Sequence, residues 1–352
     1  MTRPIRIATL SFAHYHANFW SEVFRDSPDA AFVGIWDADA ARGRDAAQRY
    51  ATSFWGDLDA LLDAVDAVAV TSETCRHRAL IERAAARGRH VLCEKPIATS
   101  LADADAIAEA VARSGITFMQ SFPKRFDPVN HELRRLLAEG FFGRVWLVRV
   151  RHGHRHGLDP AFTRGWWADP AQSGGGTLLD EGVHGADFLR WLFGDPESVT
   201  ATLSHGALGL AVEDTALAVY RWPDGLIGEL ATGWAFQAAD SSIEIYGTSG
   251  TALLSGVDLG SKDHAASGWL RLYSAAQPAR EWQVSPIVPR FKTGQFHQQN
   301  ALAFLAALKA GTAPPIGLAD GRQALAMILA AYEAARSGRA QRLADFNHGT
   351  QQ

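Results

Sequence analysis

Ile5-Arg-Ile-Ala-Thr-Leu10, running on into Ser11-Phe-Ala-His-Tyr-His16, and Ala31-Phe-Val-Gly-Ile-Trp-Asp37 decide the fold between them. Each opens on a short apolar run of buried-strand length, and the residues between them to about Arg25 read as a helix. The alternation continues down the chain. Ala38–Tyr50 reads as a helix, Ala67–Val70 as a strand, and Arg76–Arg87 as a helix closed by Gly88. His90–Cys93 is the next strand. A helix capped by Ser100 runs to Arg113 with Gly115 behind it, and Thr117–Gln120 is the strand after that. Strands separated by helices imply a parallel sheet covered on both faces, the doubly wound arrangement. Such sheets bind ligands beyond the carboxyl ends of their strands. The loops beginning at Ser11, Asp37, Thr71 and Glu94 all leave such ends.

Asp37 closes the second strand, roughly 20 residues after the first turn. A carboxylate there hydrogen-bonds the adenosine ribose and repels a 2′-phosphate, which favours NAD over NADP. The competing reading is a cap for a helix opening at Ala38. The first turn departs from the Gly-x-Gly-x-x-Gly pattern. Ser11 and Ala13 are small enough for close approach to a pyrophosphate, but His16 at the third position should push helix and strand apart unless the local geometry differs. His14 and His16 could touch phosphate or nicotinamide; packing at a helix start ranks above that.

A second stretch carries the chemistry: Gly174-Gly-Gly-Thr-Leu-Leu-Asp-Glu-Gly-Val-His-Gly-Ala-Asp187. Its glycines read as a flexible approach. Thr177 reads as the cap of a helix that runs to about Phe193 and stops at Gly194. At about 100° per residue, Asp180, His184 and Asp187 fall within one arc, beside an apolar stripe of Leu179, Val183, Ala186 and Phe193. A histidine with carboxylates a turn away suits proton transfer, because the carboxylates fix its tautomer and stabilise its charged form. The plainer alternative is a Thr177-x-x-Asp180 capping box with a solvated Asp187.

Val91-Leu-Cys-Glu-Lys-Pro96 is the most specific short string, and with it the chain resembles the Gfo/Idh/MocA oxidoreductases. Glu94-Lys95-Pro96 is similar to one family motif. Gly174–Gly176 with Asp180, His184 and Asp187 is similar to the other. Lys124-Arg-Phe-Asp-Pro128 and Gly140-x-x-Gly143 resemble the segments that lead into the family's second domain. The resemblance covers nearly the whole chain, with the motifs in order; the Ser11–His16 turn is the departure. It implies a nicotinamide-dependent oxidoreductase acting on a secondary hydroxyl of a sugar, sugar derivative or cyclic polyol. Lys95, Asp180 and His184 then carry the catalysis and are expected to converge on one cleft. Ser11, Phe12, Ala13, His14, Asp37, Thr71, His77, Glu94, Lys95, Pro96 and Arg125 would contact the cofactor. His152, His154, Trp166 and Trp167, with Lys95, Asp180 and His184, would contact substrate. Chemically, a neutral His184 can accept the hydroxyl proton while hydride leaves the carbon, and the Lys95 ammonium can stabilise alkoxide charge.

Beyond Val129–Glu139, a helix, the pattern turns to strands: Val145–His154, Ser198–Ser204, Thr215–Trp222, Leu226–Thr232, Ser242–Tyr246 and Trp269–Tyr273. Pro223-Asp-Gly225 is a hairpin turn. A mostly antiparallel sheet in an α+β domain is predicted, with helices over Phe296–Lys309 and Leu318–Ser337. The expected division is a dinucleotide-binding domain over 1–122 and a substrate-binding and oligomerisation domain over 123–352. His152, His154 and His156 share one face at strand period, where cleft lining or an interface ranks above a metal site, and no metal is expected. The apolar strand residues of Ala216–Tyr220 suggest a face covered in a homodimer or homotetramer.

The 352 residues carry a formal charge of −4, which argues against nucleic acid or an anionic membrane as a partner. Two cysteines cannot make a disulfide framework. No apolar run has membrane length, and the N-terminus lacks a signal-peptide core, so a soluble cytoplasmic protein is expected. Of the eleven tryptophans, core filling accounts for most, with sugar stacking open to a few. Two other functions fit the same scaffold. A redox-neutral enzyme that retains NAD and cleaves glycosides would accumulate no reduced cofactor. A non-catalytic nucleotide sensor would have no chemical need for Lys95 and His184 together.

Overall fold

The computed structural model describes residues 3–257, 259–260, 262–278 and 280–347. The chain forms two compact units. One comprises the residues up to Pro123 together with His297–Arg322; the other comprises Lys124–Phe296 and the residues from Gln323 on.

In the first unit the chain runs β1 (Ile5–Leu10), α1 (His16–Asp26), β2 (Ala30–Trp36), α2 (Ala40–Arg49), β3 (Ser53–Phe54), α3 (Leu58–Ala64) and β4 (Ala67–Val70). It continues through α4 (His77–Ala86), β5 (His90–Cys93), α5 (Leu101–Ser114) and β6 (Phe118–Gln120). The six strands are parallel, in the order β3-β2-β1-β4-β5-β6. All four residues of β4 are buried, as expected for a central strand covered on both faces. The predicted strands fall at the observed positions. Sequence periodicity passed over β3 and α3 because both are short; Asp57 caps α3 through a 2.9 Å bond from the Asp59 N–H.

The second unit opens with α6 (Pro128–Ala138) and β7 (Val145–His152). Two single-turn helices follow, α7 (Pro160–Thr163) and α8 (Pro170–Ser173), then α9 (Thr177–Asp180) and α10 (Gly182–Phe193). The strands β8 (Ser198–Ser204), β9 (Thr215–Arg221), β10 (Ile227–Gly233), β11 (Ser241–Gly247), β12 (Gly250–Val257), β13 (Leu270–Ser274) and β14 (Gln283–Val284) come next. They build a nine-stranded sheet, β14-β13-β12-β11-β7-β10-β9-β8-β15, where β15 is Gln341–Arg342. Its pairs are antiparallel except β7 with β10. The Pro223–Gly225 turn joins β9 to β10 as a hairpin.

Two helices near the C-terminus separate. α11 (Gln298–Ala310) belongs to the first unit and packs on α1, where Trp20 Nε1 donates to the His297 carbonyl at 3.2 Å. Gln120 N–H likewise donates to the Ile316 carbonyl, and Arg322 pairs with Asp105. A division that assigns 297–322 to the second domain therefore differs from the structure, because the apolar side of α1 is covered by a segment distant in sequence. α12 (Leu318–Ser337) covers the sheet of the second unit: Tyr220, fully buried on β9, donates its hydroxyl to the Met327 carbonyl at 3.2 Å. That contact accounts within the chain for the buried side of Ala216–Tyr220. On the opposite side Leu217 and Ile227 are exposed, beside Arg149 paired with Glu229 and Glu244.

Candidate active site

The first turn of the first unit is tied down from three strands. Ser11 adopts φ +77°, the left-handed region that glycine usually supplies. It is held there by its N–H on the Trp36 carbonyl, by Thr71 Oγ1 donating to its carbonyl at 2.7 Å, and by its own hydroxyl accepting the Ala13 N–H and Arg42 Nη2. The His14 N–H reaches the Thr71 carbonyl. His16 does not wedge strand from helix. It starts α1 as a buried ring whose Nδ1 lies 3.2 Å from Glu94 Oε2, with the His297 ring 3.8 Å and the His14 ring 4.2 Å from its own. The local geometry differs from a glycine turn by making the third side chain part of a histidine–carboxylate cluster.

Asp37 is buried, and both its oxygens are committed. Oδ2 accepts the Phe12 N–H at 2.7 Å and Arg42 Nε at 2.8 Å; Oδ1 accepts the Asp39 N–H and Arg42 Nη2. It does not cap α2. That role falls to Asp39, which accepts from Ala41 and Arg42 N–H. The Asp37 carboxylate is thus paired with Arg42, five residues on, and if it meets the ribose as the sequence reading expects, its repulsion of a 2′-phosphate is weakened. Arg42→Ala should restore that repulsion and lower affinity for NADP about tenfold more than for NAD, read by titrating both cofactors. Equal losses for the two would show that Arg42 does not set the preference.

Glu94 and Lys95 follow β5 and are both buried; the Lys95–Pro96 peptide is cis. Glu94 Oε1 accepts the Lys95 N–H at 2.9 Å. Burial pushes the Glu94 carboxyl up, and His14 and Lys95 pull it back. Burial, His16 and Lys95 together drive the His297 imidazole towards neutrality. His77 opens α4 with Nδ1 3.0 Å from the Pro96 carbonyl and Nε2 3.2 Å from the Ser72 carbonyl. It brackets the backbone of two strand-end loops.

In the second unit the glycine stretch is tightly packed rather than flexible. A Cβ on Gly176 would come 1.9 Å from the Glu213 carbonyl oxygen, and one on Gly175 2.3 Å from the Tyr332 hydroxyl. Thr177 is not the cap. Its hydroxyl is 3.0 Å from that of Thr232. The N-terminus of α9 is capped instead by Glu213, whose carboxylate accepts Gly176 N–H at 3.0 Å, Leu178 N–H at 2.8 Å and the Tyr332 hydroxyl at 2.7 Å. The expected single helix is interrupted at Glu181, between α9 and α10.

That interruption separates Asp180 from His184 and Asp187, which stay together on α10. Asp180 ends α9, and its Oδ2 accepts Trp234 Nε1 at 3.0 Å. Asp187 is not solvated; it is fully buried and bound by Arg125 through Nε at 2.9 Å and Nη2 at 2.5 Å. His184, buried on α10, faces the His152 ring at 5.0 Å, and Glu181 joins these two. Glu181 Oε2 lies 3.3 Å from His152 Nε2, and Oε1 lies 3.6 Å from His154 Nε2. The three imidazoles of 152–156 do not form one strand face, because β7 ends at His152 and His156 opens a 3-10 turn. An aromatic group adjoins them: Trp166 on Trp167 at 4.7 Å, Trp167 on Phe162 at 5.0 Å, and Phe162 against Trp234 and His154. Lys124 is also buried here, and desolvation lowers its ammonium to about 8 against the pull of Asp127, Glu181 and Asp240. Sequence reasoning missed Glu181, Glu213, Arg42 and Lys124. Only Glu181 and Lys124 gave a signal, as charged residues inside motif strings.

Residues 10–122 match the oxidoreductase family with the NAD-binding Rossmann fold, and residues 130–253 match the GFO/IDH/MocA C-terminal domain. D-apiose dehydrogenase of Paraburkholderia graminis is 30% identical over 93% of this chain and 86% of its own. The chain belongs to the GFO/IDH/MocA oxidoreductase family. Two further similarities cover part or nearly all of the chain. 1,5-Anhydro-D-fructose reductase of Ensifer adhaerens is 32% identical over 54% of this chain, a match spanning 56% of that protein. A levoglucosan dehydrogenase solved with NADH and L-sorbose superposes with a TM-score of 0.85 at 20% identity, over 97% of this chain and 99% of that one, which shows the shared fold. The family binds NAD. No helix among the described residues is long and apolar enough to cross a membrane.

Proposed function

We propose that this GFO/IDH/MocA protein oxidises a secondary hydroxyl of a sugar, sugar derivative or cyclic polyol with NAD, or runs the reverse reduction. The observation that carries the reading is the buried His184, grouped with His152 and Glu181 and neighboured by stacked tryptophans. The residues present fit the cofactor. The strand order β3-β2-β1-β4-β5-β6 reverses direction between β1 and β4, where doubly wound sheets bind dinucleotides. Ser11, Phe12, Ala13, His14, Asp37, Thr71, Glu94, Lys95 and Pro96 lie on loops leaving the carboxyl ends of those strands. When bound, the nicotinamide supplies the hydride acceptor. His184 takes the hydroxyl proton, and Lys95 stabilises the developing alkoxide. Asp180, held by Trp234, fixes the site's charge and orientation. His152 and His154 offer hydrogen bonds to substrate hydroxyls, while Trp166 and Trp167 supply apolar ring surface. His77 and Arg125 act on this site indirectly, through the loops and the α10 residue they hold.

The two curated relatives described above act on sugars by their names, which supports that substrate class. The test is a panel of sugars, anhydrosugars and inositols assayed for net reduction of NAD. Accumulating NADH on at least one of them supports dehydrogenation. Turnover without NADH would replace it with redox-neutral chemistry. The second unit, Lys124–Phe296 with the residues from Gln323 on, is read as the substrate-binding domain and as a subunit contact in a homodimer or homotetramer. Light scattering at working concentration checks the assembly, and a stable monomer would remove it.

A further inference from the structure

We propose that His152, Glu181 and His184 form a binding site for one divalent transition-metal ion of the zinc class. The three residues come from the end of β7, from the interruption between α9 and α10, and from the first turn of α10. All are buried, and one ligand atom from each lies within 4.8 Å of the other two. A tetrahedral ion with nitrogen and oxygen ligands at about 2.0–2.2 Å sets neighbouring ligand atoms about 3.4 Å apart. The 3.3 Å between His152 Nε2 and Glu181 Oε2 is already that edge. His184 completes the face with a small ring movement.

The donor set selects the ion. Two imidazoles and one carboxylate suit zinc, copper and nickel, whereas magnesium and calcium prefer all-oxygen shells. The His154 Nδ1 accepts the His156 N–H at 3.2 Å, so the ring's proton sits on Nε2, which faces Glu181 Oε1 at 3.6 Å and Asp180 Oδ2 at 3.9 Å. At these distances His154 turns an N–H dipole towards the two carboxylates without a direct hydrogen bond, and with its proton on Nε2 it is not a fourth ligand. A proton shared between His152 and Glu181 would explain that pair, but not the convergence of a third ring on it.

The consequence rests on the reading of His184 as proton acceptor. The ring lone pair that takes the substrate proton is the one that would take the ion, so occupancy and turnover exclude each other. The test uses the full chain, stripped with a chelator and titrated with zinc chloride by calorimetry. Wild type should bind one equivalent. Glu181→Gln and His152→Asn should each weaken binding at least about tenfold, with NAD affinity in the same samples confirming the fold. No saturable binding by wild type, or equal affinity in both variants, overturns the site. A separate assay then separates the two ideas. Zinc at stoichiometric occupancy should inhibit turnover, and chelator should restore it. If the ion binds as described and turnover is untouched, the site stands and His184 is not the acceptor.

Discussion

His184→Ala should lower turnover by about two to four orders of magnitude while NAD affinity stays within about twofold. The ring sits on α10 in the second unit, whereas the strand-end loops read as the cofactor cradle all lie in the first. On the reading proposed above, its removal takes away the proton acceptor and leaves every residue of those loops in place. Lys95→Ala should also slow turnover, and the double variant should be little worse than the weaker single one if both serve one proton path. Asp180→Asn keeps an oxygen for Trp234 Nε1 and removes only charge. Because Glu213 caps α9, Asp180 has no capping duty to confuse the result. A rate loss in Asp180→Asn would then report on chemistry. Wild-type turnover in both Asp180→Asn and His184→Ala, on an identified substrate, would reduce this helix pair to a scaffold.

Glu213→Ala should be the most destabilising single change outside the apolar core. It strips a buried carboxylate that accepts two backbone N–H groups and the Tyr332 hydroxyl, leaving three donors facing a void. Buried donors that lose a charged partner cost about 3–5 kcal/mol together. For a unit of this size that corresponds to a fall in Tm on the order of 10 °C. Glu213→Gln, which keeps one acceptor oxygen, should recover part of it. Tyr332→Phe, which removes one bond, should cost about 1 kcal/mol. Thermal unfolding of the three variants checks the order. A Glu213→Ala protein within about 1 kcal/mol of wild type would mean that water or a shifted neighbour caps α9 instead.

The sheet of the first unit was legible because its strands are short apolar runs between periodic helices, and β1, β4 and β5 fall where the pattern put them. The motif residues were legible as strings, but their partners were not. Periodicity assumes one continuous helix, and it aligned Asp180 and Asp187 with His184. The interruption at Glu181 reset the phase between Asp180 and His184, so Glu181 became the carboxylate beside the histidine, while Asp187, on the same helix as His184, pairs with Arg125. Nothing local marks Glu213 as the cap of a helix 36 residues earlier, since that pairing exists only once β9 and α9 are packed. Asp37 was readable as an acid closing the second strand. Its neutralisation by Arg42 was not, because an i,i+5 pair across a helix start has no pattern signature.

The return of 297–322 to the first unit bears on how the protein is made. A ribosome finishes the six parallel strands before the last third of the chain exists, yet Trp20 and its neighbours on α1 find their cover only when α11 emerges. For that interval the nascent first unit carries an uncovered apolar helix face, a natural substrate for chaperones. Gene fragments that stop before His297 should then yield aggregates, whereas a spliced polypeptide joining 3–123 directly to 297–322 should stay in solution.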